Sequence, residues 1–551
     1  MSFAFQFNFI AMKRRNFIKI GSAAGAISLL PSEVFALFNS MGVTSCPNLN
    51  GKKLVLIQLS GANDGINTIV PINQYDVYAN LRPNIRLSNS GANGIINLDT
   101  TLPLANQVGL HPVLTGFKSL YDSGLMRIIQ GVGYPAQDKS HFKSTDLWFT
   151  AGDGTTANNN LQSGWVGRFL ENYYANYLSA NFPLGIQLGS SENSLGFHGA
   201  VEHGMSVNIN GQDPSGFYSV VNGLGGVAPT NIPNSEYGDL IQFILNNDSS
   251  TYNYSQAISA AFNAGTNSIT YPDTPLASQL KSVARFISGG LETKVYLVKL
   301  GGFDTHNVQV ESSTTSHIGQ HADLLIQVSE AVNNFITDLN NQTIGDDVLA
   351  ITFSEFGRKA GENGNLGTDH GQIAPMFVFG NSVSPGVSGT NINLSEATSS
   401  NNYQVETVQH DFRSVFGTIL QDWFGVGTPT LDATLYDHTN SVGFAGNKVP
   451  NLINAQHLVA PECYSDTLVS VKDTKTESIT IYPNPCTEKL LITSTANQIV
   501  SFEILTLFGQ RIVRGKLNNE PIDVSELQTG SYFIRLSDSK GKLVTRKFTK
   551  I

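Results

Sequence analysis

Short, nearly continuous apolar runs alternate with amphipathic segments along most of the chain. The apolar runs lie at 53–59, 125–132, 184–189, 294–300, 347–353 and 375–380 and are rich in β-branched residues. Such runs are typical of strands buried on both faces of a sheet. The longest amphipathic segment has apolar residues at helical spacing: Leu324, Leu325, Val328, Val332 and Phe335. The alternation predicts an α/β domain with a doubly wound, mostly parallel sheet and helices on both faces.

The pattern changes near residue 470. A polar linker at 466–476 is followed by short segments of alternating apolar residues, separated by Gly, Asn-Pro and Asp-Ser turns. These features predict a separate small β-sandwich at 477–551. The α/β domain is then expected to span residues 37–465.

Composition narrows the class of protein. Apolar residues make up 40% of the 551 residues and suffice for a core, whereas charged residues make up only 14%, against about 25% in average soluble domains. An uncharged polar surface is common in exported proteins. The net charge of −10 argues against non-specific binding of nucleic acid, which needs a basic face.

The three cysteines, Cys46, Cys463 and Cys486, form no Cys-x-x-Cys pair. No thiolate metal site is therefore predicted. Cys46 and Cys463 could form a disulfide between the two ends of the main domain, or both could be free thiols.

The N-terminus is predicted to be a signal peptide at 1–36. Arg14 and Arg15 precede a short apolar stretch that Gly and Pro interrupt, and Val-Phe-Ala ending at Ala36 resembles a cleavage site. The stretch is too short for a membrane span. It resembles a Tat signal, which implies the Tat translocon as a partner.

The C-terminal segment also has the features of a targeting signal. "YPNP", "ILTLFGQRI", "LQTGSYFIRL" and the basic ending "KLVTRKFTKI" occur in one order over the whole module. In that order they resemble the C-terminal sorting domain of type IX secretion cargo. The resemblance implies the type IX secretion machinery as a partner and export to the cell surface or outside it, by way of the periplasm.

Polar side chains follow several of the predicted strands. They are Asp64 in a Gly-rich turn, Ser140 at a helix start, Asp304 and His306 after "KVYLVKL", Glu355 after "VLAITF", and Asp369-His370 in the next turn. Ligands bind beyond the carboxyl ends of strands in such sheets, so we expect these groups to converge at one edge. Carboxylates with imidazoles suit zinc or manganese, whereas oxygen ligands alone favour calcium or magnesium. A divalent metal site is predicted, and a serine at a helix N-terminus beside it could be a nucleophile for phosphate or sulfate esters.

Three of these groups also have a structural interpretation. Asp64 could make an Asx turn, Ser140 could cap its helix, and Glu355 could pair with Arg358. Four other histidines lack a setting at a strand end and are interpreted as structural: His111, His317, His321 and His410.

The main domain resembles the alkaline-phosphatase and sulfatase superfamily. Within it, the resemblance is to a domain-of-unknown-function family of sulfatase-like, often Tat-exported bacterial proteins. It is carried by "LSGANDGINTIVP", "GVGYPAQDKSHFKSTDLW", "GWVGRFL", "LGGFDTH", "TFSEFGR" and "GTDHG". The resemblance implies metal ligands at Asp64, Asp304, His306, Glu355 and His370 and a nucleophile at Ser140, with Ser144 one helical turn later as the alternative.

The chain departs from the superfamily at one ligand position. Phe356 stands where hydrolytic relatives have a histidine, and no Cys/Ser-x-Pro-x-Arg sequence for formylglycine occurs. Two functions follow as expectations. One is an exported metal-dependent hydrolase of phosphate or sulfate esters, for example of a polysaccharide or lipid. The other is a noncatalytic surface or glycan-binding protein on the same scaffold.

Overall fold

The structure is a computed structural model that describes residues 51–155, 162–178, 180–189, 194–200, 205–209, 252–435, 448–459, 479–494, 499–505, 511–517, 521–538 and 543–551. The predicted signal peptide, the linker and the Cys46–Cys463 pair lie outside these residues. The chain divides into two compact units, Met1–Ser465 and Asp466–Ile551.

The first unit contains a nine-stranded mixed sheet and a small three-stranded sheet. Its strands are β1 Lys53–Leu59, β2 Ile69–Pro71, β3 Ile96–Asn97, β4 Val108–Leu110, β5 Met126–Gly133, β6 Gly185–Gln187, β7 Ser206–Asn208, β8 Val295–Leu300, β9 Val348–Phe353, β10 Ala374–Phe379, β11 Gly386–Ser388 and β12 His410–Asp411. The helices are α1 Gly65–Thr68, α2 Tyr75–Leu81, α3 Thr115–Asp122, α4 His141–Thr150, α5 Trp165–Tyr173, α6 at 252–264, α7 Pro275–Ser288, α8 Gln320–Asn341, α9 Phe412–Ile419, which continues as a π turn at Leu420–Phe424, and α10 Thr428–Leu435. Single 3₁₀ turns lie at Ile72–Gln74, Leu104–Asn106, Ala175–Tyr177, Ser194–Phe197, Gly345–Asp347, Leu394–Glu396, Ser399–Asn401 and Ala455–His457.

The large sheet has the order β11-β5-β10-β9-β1-β8-β6-β7, and β12 also pairs with β5. The run from β9 to β7 is parallel throughout. Only β10 runs against its neighbours, β5 and β9. The six predicted strands are all present, and the prediction of a mostly parallel sheet is confirmed.

Helices cover both faces of this sheet, as predicted. All seven residues of β1 are buried, and their side chains alternate between two cores. Val55 and Ile57 pack in the core that α3, α7 and α8 cover, whereas Leu54 and Leu56 pack in the core that α4, α5 and α9 cover. A strand with apolar residues on both faces is stable only in such a three-layer arrangement.

The long predicted amphipathic helix is α8. Its five predicted apolar positions are all buried against the sheet. The helix begins at Gln320, several residues after the start of the pattern, because the preceding residues form turns. No helix among the described residues is long and apolar enough to cross a membrane.

The second unit consists of two antiparallel sheets. They are formed by β13 Ile479–Tyr482, β14 Lys489–Ser494 and β17 Ile522–Asp523, and by β15 Ile499–Leu505, β16 Arg511–Lys516, β18 Gly530–Asp538 and β19 Leu543–Lys550. Leu490 and Ile522 of the first sheet share one core with Ile504, Ile534 and Phe548 of the second. Two sheets around one core form the predicted sandwich. Cys486 is a free, buried thiol within it.

Candidate metal centre

Three imidazole nitrogens and one carboxylate oxygen lie close together beyond the carboxyl ends of the central strands. They belong to His141 at the start of α4, to Asp304 and His306 after β8, and to His370 before β10. The first, second and fourth of these form a group that could hold a metal ion. Convergence at this edge is what parallel strands impose, because their carboxyl ends all face the same way.

His370 Nε2 and Asp304 Oδ1 each lie within 3.4 Å of the other three donor atoms. His370 Nε2 is 3.1 Å from His141 Nε2 and 2.8 Å from His306 Nε2. Asp304 Oδ1 lies 3.4 Å from the nitrogens of His141 and His370 and 3.2 Å from that of His306. Ligand atoms around a tetrahedral zinc ion with bonds of about 2.0–2.1 Å are separated by about 3.3 Å, and these five donor pairs have nearly that spacing.

The other ring nitrogen of each histidine faces an oxygen. His141 Nδ1 lies 2.7 Å from Glu355 Oε1, and His370 Nδ1 lies 2.8 Å from the Lys139 carbonyl oxygen. His306 Nδ1 is 3.3 Å from Asp369 Oδ1. A carbonyl or an ionised carboxylate oxygen only accepts hydrogen bonds, so each Nδ1 carries the proton when the ring is neutral.

When the three rings are neutral, His370 therefore directs its Nε2 lone pair at those of His141 and His306. Lone pairs about 3 Å apart repel unless a cation lies between them. Protein metal sites have this arrangement, in which a carboxylate or a carbonyl fixes the tautomer of each histidine ligand. The group consists of His141, Asp304, His306 and His370, and we call it the four-donor cluster.

Phe356 packs under the four-donor cluster. It is buried, and its ring centroid lies 4.8 Å from those of both His141 and His370. The residue that departs from the superfamily pattern thus supports two of the imidazoles and offers no ligand atom of its own.

Glu355, a predicted ligand, lies outside the four-donor cluster and contacts His141. Its carboxylate is buried, and Oε1 accepts from the Gly61 N–H at 2.8 Å as well as from His141. The predicted alternative, an ion pair with Arg358, does not form. Arg358 instead donates to Asp304 Oδ1 at 2.7 Å.

Asp64 is not brought to the four-donor cluster. It is fully buried and makes a bidentate ion pair with Arg82, at 2.6 and 3.0 Å, while Gln309 donates to Oδ2 at 2.6 Å. Oδ1 also accepts from the Ile66 N–H at the start of α1. Burial alone would raise the pKa of Asp64, but Arg82 holds it at about 2. The geometry matches the turn-and-cap interpretation.

The two candidate nucleophiles differ in their exposure to solvent. Ser140 is exposed at the N-cap of α4, and its side chain makes no capping hydrogen bond. Ser144 is buried, and its hydroxyl donates to the Glu355 carbonyl at 2.5 Å and contacts the Tyr134 hydroxyl at 2.8 Å. Ser144 therefore has a structural role in holding Glu355.

Charges within the centre shift the pKa values of its members. The hydrogen bond that His141 donates to Glu355 raises the pKa of His141, against the effect of burial. Burial lowers the pKa of His370. Burial raises the pKa of Asp304, but the hydrogen bond and charge of Arg358 outweigh it and hold this pKa below its usual value.

A cavity of about 640 Å³ adjoins the cluster. His141, Asp304 and Glu355 form part of its wall, and Phe142, Thr145 and Lys299 line it as well. A cavity of similar size, about 660 Å³, is lined by residues such as Asp99 and Tyr121 and holds no histidine. Of these two cavities, the one lined by His141 and Asp304 combines space for a ligand with the donor cluster.

Sequence reasoning missed His141. It identified Ser140 at the same helix start but did not consider the histidine that follows it. His141 follows β5 by a short loop, so the criterion that selected His306 and His370, an imidazole after a strand, also selects it. His111, His321 and His410 lie outside the four-donor cluster.

Comparison with known proteins identifies two segments. Residues 287–425 match the model of a family described as a protein of unknown function, DUF1501, and residues 480–550 match the secretion system C-terminal sorting domain. Both predicted resemblances are confirmed. Among curated proteins, none matches the chain.

Solved structures give remote likenesses. A protein in the alkaline phosphatase superfamily from Vibrio parahaemolyticus is 10% identical, with 86% of this chain and 83% of that chain covered and a TM-score of 0.32. The PsFucS1 sulfatase from Pseudoalteromonas sp. is 11% identical, with 91% and 86% covered and a TM-score of 0.30. The lipoteichoic acid synthase LtaP from Listeria monocytogenes is 12% identical, with 64% and 73% covered and a TM-score of 0.26.

TM-scores this low support no conclusion about the fold or the candidate metal centre. Both follow from the strand pairings and distances within this chain. A C-terminal sorting domain of a secretion system indicates export to the cell surface or the extracellular space. The chain therefore carries a segment that matches the DUF1501 family and, after it, a segment that matches the secretion system C-terminal sorting domain.

Proposed function

We propose that this exported protein is a metal-dependent hydrolase of phosphate or sulfate esters, and that the four-donor cluster holds the metal. One observation carries the proposal. His370 Nε2 and Asp304 Oδ1 lie 3.4 Å apart beside a cavity, and each lies within 2.8–3.4 Å of the Nε2 atoms of His141 and His306. Imidazole-rich donor sets favour zinc and similar transition metals over magnesium or calcium.

A divalent metal bound there would supply Lewis acidity at the ester oxygen. The residues of the chain prepare the site for it. Glu355 and the Lys139 carbonyl orient His141 and His370, and Phe356 restricts the movement of both rings. This preorganisation lowers the cost of gathering the ligands.

The cavity suits an anionic ester. Lys299 contributes positive charge to its wall, and His141 and Phe142 place the first turn of α4 at its edge. Helix N-termini attract anions through their unpaired N–H groups. Ser140 is the proposed nucleophile because it is exposed next to the ligand His141, whereas Ser144 is held by Glu355 and Tyr134.

Phe142 favours a second candidate, the noncatalytic glycan-binding protein. Its side chain is 84% exposed and lines the same cavity. An exposed aromatic ring offers a stacking surface for the apolar face of a sugar. Binding of this kind would survive removal of the metal, and hydrolysis would not.

Metal content and turnover test the proposal together. We expect the purified protein to retain close to one divalent ion per chain after dialysis. We also expect turnover of p-nitrophenyl phosphate, p-nitrophenyl sulfate or an ester of a sugar or lipid. His370→Ala should remove the ion and lower kcat/KM at least about a hundredfold, because it deletes a central ligand.

His457→Ala is the matched control, because His457 lies outside the four-donor cluster and should affect neither quantity. Absence of a stoichiometric ion together with no turnover of any of these esters would refute the proposal. Full activity of His370→Ala would do the same.

A further inference from the structure

Arg358 is a buried arginine that contacts three loops around the candidate metal centre. Its side chain is fully buried, and Nη2 donates to Asp304 Oδ1 at 2.7 Å. The guanidinium also donates to four backbone carbonyl oxygens at 2.5–3.0 Å, those of Gly61, Ala62, Phe303 and Thr368. An arginine side chain has donors only, so Arg358 itself offers no ligand atom to a metal.

The four carbonyls belong to loops that are distant in the sequence. Two of them follow β1, whereas Phe303 follows β8 and directly precedes Asp304. Thr368 lies before β10, two residues before His370. A guanidinium is planar and its donors point in fixed directions, so all these acceptors are satisfied together at only one relative position of the loops. Arg358 therefore fixes the loop of Asp304 relative to the turn of His370.

The backbone around Arg358 contacts the remaining members of the centre. Arg358 and His370 form an antiparallel backbone bridge. Glu355, three residues earlier, lies 2.7 Å from His141 Nδ1. The group that could hold a metal consists of His141, Asp304 and His370, and one short segment of chain thus contacts all three.

We infer that Arg358 is a positioning residue of the candidate metal centre. Its guanidinium joins the loops after β1 and β8 to the turn before β10, and so holds Asp304 in place relative to His370. These bonds link groups of the chain alone, so the three loops stay joined without help from a bound ion. The inference rests on the metal site of the proposed function and adds to it a residue that is not a ligand.

Arg168 is a matched control that separates positioning from a general contribution to stability. It is also a buried arginine, and its guanidinium donates to backbone carbonyl oxygens at 2.7–3.0 Å, those of Thr150, Ser163 and Thr434. These partners lie outside the four-donor cluster. Lysine replaces each arginine in the test, because it keeps the positive charge and lacks the planar set of donors.

Hydrogen exchange followed by mass spectrometry measures how firmly the loops are held. The full-length protein is studied in the presence of a chelator, so that no ion contributes. We expect peptides covering 301–306 and 366–371 to exchange slowly in the wild type. Arg358→Lys should raise the exchange rate of both peptides at least about tenfold, because both loops lose a common partner, and Arg168→Lys should change neither.

Zinc affinity measures the consequence for the centre. Competition with a chelating dye gives the Zn²⁺ affinity of each protein, after circular dichroism has confirmed that it is folded. We expect Arg358→Lys to bind Zn²⁺ about 10- to 100-fold more weakly than the wild type, the usual effect of losing a group that orients ligands. Arg168→Lys should be less stable in urea and keep the wild-type affinity within about twofold, because its partners lie elsewhere.

The outcomes separate this inference from the proposed function. A wild type that binds no Zn²⁺ refutes the metal site, and with it both the proposed function and the role of Arg358 there. A wild type that binds Zn²⁺, with equal affinities for Arg358→Lys and Arg168→Lys, refutes the positioning role alone. Faster exchange in only one of the two peptides also refutes it, because Arg358 then does not join the loops. If Arg358→Lys does not fold, the wild type decides: loop peptides that exchange as fast as an unfolded chain refute the inference, and slow exchange supports it.

Discussion

At the scale of single residues, Glu355 orients the His141 ring of the four-donor cluster. Its carboxylate fixes the Nδ1 proton of His141, and the buried position prevents water from replacing it. The Gly61 N–H donates to the carboxylate of Glu355, and the Ser144 hydroxyl donates to its backbone carbonyl. A residue outside the four-donor cluster thus holds one of its imidazoles in place.

Glu355→Gln tests this control. The amide presents either its oxygen or its NH₂ group to His141. It also lacks the negative charge that favours a proton on His141 Nδ1. We expect metal affinity to fall about 10- to 100-fold, the usual effect of losing an outer carboxylate. Competition with a chelating dye measures the affinity. Glu396→Gln, in a 3₁₀ turn of the same unit, is the control, and an unchanged affinity of Glu355→Gln would show that His141 needs no orienting partner.

At the scale of elements, the centre depends on close contact between the loops that follow β1 and β8. Gly61 has a φ of +113°, and a Cβ atom at this position would lie 2.4 Å from the Asp304 backbone nitrogen. Only glycine allows both this backbone conformation and this approach. The contact sets the position of Asp304 and, two residues on, of His306.

Gly61→Ala is therefore expected to displace the β8 loop and to lower metal affinity by more than about tenfold. Gly91→Ala separates this effect from backbone strain. Gly91 also has a positive φ, of +87°, but a Cβ there meets nothing within 4 Å. Its replacement should cost about 1 kcal/mol of stability and leave metal affinity unchanged. Equal metal affinities in the two variants would contradict the importance of the loop contact.

At the scale of the whole molecule, a buried histidine links stability to pH. His321 of α8 is buried, its Nε2 lies 3.0 Å from Asn63 Oδ1, and its ring packs edge-on against His111 at 5.9 Å. Burial lowers the pKa of His321 to about 4, although Asp64 raises it in part. The folded protein therefore keeps this ring neutral where the unfolded chain protonates it.

The sign of the effect follows from proton linkage. Between about pH 6.5, the unfolded value, and about pH 4, the unfolded state binds one more proton at this site than the folded state. Stability should therefore fall as the pH falls through this window, by up to about 1.4 kcal/mol for each pH unit from His321.

Urea unfolding between pH 4 and pH 7 in the presence of a chelator measures this contribution without metal release. His321→Gln should have a shallower dependence of the unfolding free energy on pH than the wild type. Parallel curves for the two proteins would mean that His321 titrates equally in both states.

Much of this architecture follows from the sequence. The apolar runs determined the strands, because a strand buried on both faces leaves almost no polar position. The spacing of Leu324 to Phe335 determined the buried face of α8. Turn residues placed Asp304, His306 and His370 at strand ends, and parallel strands present those ends at one edge. Strand direction is not encoded in such patterns, so the antiparallel placement of β10 became visible only in the sheet.

Tertiary structure alone decided what each polar residue does. Glu355 meets His141 across 214 residues of sequence, and Asp64 meets Gln309 across 245. A carboxylate in a turn can bind a metal, orient an imidazole or neutralise an arginine, and the sequence around it is compatible with all three. Its partner decides among them, because a buried charge is stable only beside the group that compensates it. The sequence thus determined which groups reach this edge, and the fold decided which of them remain available to a metal.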